Sequence, residues 1–143
     1  MKEFTVRRYN DNLKGLWDSF ISNTEVQSIL FYRDFMEYHK KRFDDFSLMI
    51  FNGKKLLAVL PANIDNNNEV YSHQGLSYGS VLFLPFTYFT ERLIVFYSIL
   101  RYLNSRDINS LILKSIPKCY STDTSENIIF GWLKSVNIYN DIY

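Results

Sequence analysis

The chain has 143 residues, 47% of them apolar and including 12 Phe, 11 Tyr and 2 Trp, which is enough to fold as one domain around its own core and excludes disorder. Sixteen basic residues against 15 acidic ones leave a net charge of +1, too balanced for nucleic acid as the main partner, because phosphate binding needs a basic surface. A single cysteine, Cys119, excludes an intramolecular disulfide, and no apolar run nears the roughly 20 residues that cross a bilayer, so a cytoplasmic domain without a signal peptide or membrane span is expected.

Phe4 to Tyr9 alternates apolar and polar residues, which predicts a half-buried strand. Asn10-Asp11-Asn12 supplies side-chain oxygens to cap a helix, and Leu13, Leu16, Trp17, Phe20 and Ile21 then follow at helical spacing. A second helix is expected from about Leu30 to Arg42, with Tyr32, Phe35, Met36, His39 and Phe43 on one face. The cluster His39-Lys40-Lys41-Arg42 reads as a solvated helix end, and Asp44-Asp45 as a solvated turn. "FSLMIF" and "KKLLAVLPA" flank Asn52-Gly53, the preferred pair for a type I′ hairpin turn. Leu56 to Leu60 is apolar without alternation, as in a strand buried on both faces. Asp65 to Asn68 is a polar turn, and "EVYSH" a third strand of the meander.

"VLFLP" is strand-like and ends at Pro85. A helix is predicted from Thr87 to Asn104 with an apolar stripe of Phe89, Leu93, Phe96, Leu100 and Leu103. "SLILKSI" is a buried strand. Ile128, Ile129, Trp132, Leu133 and Val136 mark a last helix, and "VNIYNDIY" a last strand. The predicted order is β-α-α-β-β-β-α-β-α-β, an α/β fold with a mixed sheet flanked by helices, in one domain over residues 1–143.

Gly75-Leu76-Ser77-Tyr78-Gly79 matches the G-x-S-x-G pattern of serine hydrolases. The match fails by context. Strand-like residues follow where a helix is required, and no histidine lies beyond His73 to act as a distant base. Gly75 and Gly79 still permit positive φ or close approach to a ligand, and Ser72, His73, Gln74 and Tyr78 supply donors and acceptors. A β-bulge with a self-satisfied loop is the plainer alternative. His39 likewise reads as a half-buried histidine on a carbonyl, or as a cleft residue beside Arg33 or Glu37. Two histidines and one cysteine without ligand spacing make no metal site, and neither a P-loop nor a dinucleotide fingerprint occurs.

"FYRDFMEYHKKRFDDFSLMIF", "LLAVLPAN", "YSHQGLSYGS" and "LKSIPKCY", in this order and spacing, resemble the N-terminal half of tandem GNAT-fold proteins of the FemAB-like type. The resemblance implies a GNAT-like domain that is the N-terminal lobe of a longer two-lobed N-acyltransferase, of the kind found in cell-envelope and capsule biosynthesis. It implies acyl-CoA or aminoacyl-tRNA on a second lobe, and a small-molecule or sugar-amine acceptor against this one. His73 and Tyr78 would then be catalytic, helping to take a proton from the attacking amine. Arg33, His39, Ser72, Gln74, Gly75 and Gly79 would bind the acceptor, Arg33 through an anionic group. The family's glycine-rich pyrophosphate loop is missing, since no glycine occurs between Ser80 and Glu126, so this lobe is expected to bind no cofactor itself. A catalytically inert binding or scaffold module of the same fold is the alternative.

Overall fold

A computed structural model describes residues 4–24, 29–38, 44–72, 81–108, 110–114 and 138–141. The expected last helix lies outside these residues. The described elements are strand β1 (Thr5–Arg8), helices α1 (Lys14–Ser22) and α2 (Arg33–Tyr38), strands β2 (Asp44–Asp45), β3 (Leu48–Asn52), β4 (Lys55–Leu60), β5 (Ala62–Ile64), β6 (Glu69–Ser72) and β7 (Leu82–Phe83), helix α3 (Phe89–Ser105), and strands β8 (Ser110–Lys114) and β9 (Ile138–Asp141). Strands β2, β5 and β7 are additional to the predicted order, and the single mixed sheet expected is replaced by two sheets. The architecture is α/β, with two mostly antiparallel sheets of order β1-β3-β4-β7 and β2-β5-β6-β8-β9. The parallel pairs are β6 with β8 and β8 with β9. Among the described residues no helix is long and apolar enough to cross a membrane.

Local signals explain the elements. Asn10 Oδ1 accepts the Asn12 N–H at 3.0 Å and caps the turn that leads into α1. The β3–β4 hairpin forms, but its two-residue loop is Gly53-Lys54, closed by the Asn52–Lys55 pair. Only Gly53 has positive φ, at 63°, which is the type II′ pattern rather than the type I′ turn expected on Asn52-Gly53. A bulge lies beside the turn: Ile50 faces Ala58 while Phe51 faces Leu56, so Leu57 is an extra residue in β4.

That bulge also sets the core. Leu48, Ile50, Leu57, Ala58 and Leu60 join one cluster with Val95, Phe96, Ile99 and Leu103 of α3. Met49, Phe51, Leu56 and Val59 join the other, with Trp17, Phe20 and Ile21 of α1 and with Phe31. Leu56 to Leu60 is therefore covered on both faces, with 7% exposure or less at every position. The expected stripe on α3 is rotated. Arg92, Val95, Phe96, Ile99 and Leu103 are buried, Ser98 with them, while Phe89 stays 40% exposed. Ser98 tolerates burial because its hydroxyl donates to the Ile94 carbonyl at 2.7 Å and accepts the Phe4 N–H at 2.9 Å.

The two sheets share one long hairpin. Residues 44–52 run antiparallel to residues 55–64, and both arms break at the same level, at Phe46-Ser47 and at Pro61. Pro61 has no N–H to donate to a ladder. Beyond the break, Phe46 N–H bonds the Ala62 carbonyl at 2.9 Å and the second sheet begins.

Candidate functional site

At this break the buried polar residues converge. Ser47 Oγ donates to Asp45 Oδ1 at 2.7 Å and accepts the Ala62 N–H at 3.2 Å. It also accepts from Arg33 Nη1 at 3.2 Å. Arg33 opens α2, and its backbone N–H is held by Asp18 Oδ1 of α1 at 2.9 Å. Its Nη2 pairs with Glu37 Oε1 at 2.8 Å, one helical turn on, and with Asp45 Oδ1 at 3.5 Å. The guanidinium lies 3.6 Å from the Tyr9 ring centroid and 5.1 Å from that of Trp17. Tyr9 meets Trp17 edge-on, and Trp17 Nε1 donates to the Phe31 carbonyl at 2.8 Å.

The side chain of Arg33 is thus 2% exposed, with its charge taken up by two carboxylates of the same chain. A guanidinium does not deprotonate in a protein, so this cluster performs no acid–base chemistry through Arg33. What it does is bind α2, α1 and the sheet break together. The aspartate expected in a solvated turn, Asp45, is part of β2 and of this cluster instead. Among the described residues, Tyr9 Oη and Arg33 Nε are buried without a hydrogen-bond partner. Burial pushes the Tyr9 phenol up from its ordinary pKa, and the neighbouring Arg33 cation opposes that shift.

Ser72 is the last residue of β6. It is fully buried and pairs with Ala62 across the ladder. Arg33 and Ser72 therefore meet at one level of the fold, the first through Ser47 and the second as the strand partner of Ala62. His39, His73, Gln74, Gly75, Tyr78 and Gly79 lie outside the described residues. The strands on either side of residues 73–80 are described. Ser72 pairs with Ala62 in one sheet and Leu82 with Val59 in the other, so the chain changes sheets between them, across the level of Pro61. Composition and spacing pointed to neither Tyr9, Trp17, Asp45 nor Ser47 as parts of a cluster, and to Glu37 only as a cleft neighbour of His39 beside Arg33. The helical spacing of Arg33 and Glu37 was the one sequence signal available.

Next to Ser72, the Tyr71 hydroxyl donates to Glu69 Oε2 at 2.8 Å. That hydrogen bond to a carboxylate, with a smaller contribution from burial, pushes the Tyr71 phenol up to about 12. A raised folded-state pKa means that the folded protein holds this proton more tightly. The stability it contributes is complete below the ordinary value near 10 and is lost as pH climbs from there through about 12. Glu69→Gln is expected to return the Tyr71 titration toward the ordinary value. Carbon NMR of tyrosine labelled at Cζ reads this directly, and an unchanged Tyr71 midpoint would refute the assignment.

Among the described residues, no group of three His, Cys, Asp or Glu side chains gathers as a metal would require. No family model matches the sequence, and no curated protein or solved structure matches the chain.

Proposed function

We propose that this chain is a GNAT-type N-acyltransferase lobe that lines the acceptor side of a cleft and carries no acyl donor of its own. The observation behind the proposal is the parting of β6 and β7. Two strands consecutive among the described elements enter different sheets on either side of Pro61. The segment joining them, residues 73–80, holds His73, Gln74, Ser77 and Tyr78 between Gly75 and Gly79 and the strand ends. Ligands are commonly bound where neighbouring strands part into different sheets. In this reading Gln74 hydrogen-bonds the acceptor, Gly75 and Gly79 allow its approach, and His73 or Tyr78 takes a proton from its amine. The donor, an acyl-CoA or an aminoacyl-tRNA, belongs to a second lobe.

The test is an amide NMR titration of the chain with an amino sugar and, separately, with acetyl-CoA. Shifts at Ser72, Val81 and Leu82 with the sugar, reduced in His73→Ala and Tyr78→Phe, are expected. Acetyl-CoA should move no resonance and leave the melting temperature unchanged. A rise in melting temperature with acetyl-CoA would sink the absence of a donor site. Silence toward every amine acceptor would sink the acceptor role. One observation favours that second outcome and a scaffold module without chemistry: the Arg33 cation is neutralised inside the protein rather than offered to a ligand.

A further inference from the structure

β1 is an edge of the first sheet, with β3 as its strand neighbour on one side. The Tyr9 N–H reaches the Ser47 carbonyl at 2.9 Å. Antiparallel ladders alternate, so Arg7 and Thr5 also turn their backbone groups toward β3, while Phe4, Val6 and Arg8 turn theirs outward. The Ser98 hydroxyl of α3 accepts the Phe4 N–H at 2.9 Å. Among the described residues, no hydrogen bond reaches the Val6 or Arg8 N–H. Thr5, Arg7 and Arg8 are exposed beside them. Outward N–H and C=O groups in this state are a template for one more strand.

Charge selects the occupant. The Arg7 guanidinium lies 5.7 Å from the Phe51 ring centroid and the Arg8 guanidinium 4.5 Å from that of Phe46. These rings belong to different core clusters, so the two cations stand on opposite faces of the strand. Among the described residues neither forms an ion pair. Arg8 Nη2 donates to the Asp45 carbonyl at 2.7 Å, while the Asp45 carboxylate is turned to Arg33 and Ser47. A second copy is a poor occupant. Antiparallel pairing of two β1 edges that uses Val6 and Arg8 of both sets Arg7 directly against Arg7, and like charges so placed repel. A groove of about 540 Å³ lies between β1 and the last turns of α3, with Thr5, Asn104 and Ser105 on its walls. Among the described residues Arg101 is the one charged residue lining it. Those polar walls suit a peptide backbone better than an apolar body.

We propose that β1 binds an extended acidic peptide as an added antiparallel strand, with consecutive carboxylates opposite Arg8 and Arg7. Main-chain hydrogen bonds to Val6 and Arg8 hold the strand, and the two arginines choose its sequence. The peptide residue opposite Val6 is apolar, because Val6 packs half-buried against the core on the α3 side. β1 spans four residues, so the contact is small and the dissociation constant is expected at about 0.1–1 mM.

Amide NMR of the nitrogen-labelled chain tests this with an acetylated, amidated peptide. Its central residues run glutamate, glutamate, valine, threonine, to face Arg8, Arg7, Val6 and Thr5. The Val6 and Arg8 amides should move downfield and exchange with solvent at least tenfold more slowly when the peptide saturates. The Thr5 and Arg7 amides, already turned to β3, should keep their exchange rates. N-methylation of the peptide valine removes the donor to the Val6 carbonyl and should weaken binding at least tenfold, with the protein unchanged. Arg7→Glu with Arg8→Glu should reverse the preference toward a peptide with lysines in place of the glutamates, and an unchanged urea midpoint certifies the fold. The proposal is overturned if the peptide leaves Val6 and Arg8 unprotected, if all four amides respond alike, or if the lysine peptide binds the wild-type chain equally well. Protection of Val6 and Arg8 that grows with protein concentration without peptide would make a second copy the occupant and overturn it too.

Discussion

Arg33→Ala is expected to cost about 3–5 kcal/mol, the usual result of removing one partner from a buried ion pair. The loss does not come from the cation alone. Without it, Glu37 and Asp45 keep two carboxylates at the sheet break with no neutralising charge, and Ser47 Oγ loses one of its donors. The Tyr9 ring loses the guanidinium stacked on it at 3.6 Å. Because whole-domain stability is about 5–15 kcal/mol, the variant should unfold at markedly lower urea concentration. Arg33→Lys should recover only part of the loss, because an ammonium cannot reach Glu37, Asp45 and Ser47 from one planar fork while stacked on Tyr9. A urea midpoint within experimental error of wild type for Arg33→Ala would show that the cluster contributes no stability.

Trp17→Ala is the second large effect, about 3–5 kcal/mol for an indole truncated in a packed core. Trp17 is fully buried and stands between α1 and the face of β3 and β4 formed by Met49, Phe51, Leu56 and Val59. Trp17→Phe separates packing from hydrogen bonding. It keeps an apolar ring but removes the Trp17 Nε1 hydrogen bond to the Phe31 carbonyl at 2.8 Å, for a cost of about 0.5–1.5 kcal/mol. Trp17 and Arg33 share Tyr9 as a neighbour, so the Trp17→Ala/Arg33→Ala chain should lose less than the sum of the two single losses. Strict additivity in urea unfolding would mean that they act as separate clusters.

The residues that the sequence misread have a common physics. Arg92 and Ser98 are polar letters on the buried face of α3, so the expected stripe held at Phe96 and Leu103 but failed at Phe89. Their burial depends on partners distant in the chain or across a turn: Ser98 on the Phe4 N–H, Arg92 on the Thr87 carbonyl and the Phe83 ring. Asn52-Gly53 looked like the turn by residue type, but the Asn52–Lys55 pair puts the two-residue loop at Gly53-Lys54. Arg33 was given to an anionic acceptor group only by the family resemblance, and the structure buries it instead. Its carboxylate and hydroxyl partners on β2 and at Ser47 become neighbours only when α2 lands on the sheet break.

What the sequence determined by itself is local. The helical spacing of Trp17, Phe20 and Ile21, the hairpin between two apolar runs, and the unbroken apolar stretch of β4 each state their own element and its buried face. These depend on periodicity and turn chemistry over a few residues, which no later contact needs to supply. The tertiary structure alone decided the rest: the division of one hairpin into two sheets at Pro61, the gathering of Arg33, Asp45 and Ser47 at that break, and the parting of β6 from β7 where residues 73–80 run. Each requires groups far apart in the chain to meet, and the free energy of a buried charge is set by that meeting, not by the residue's own type.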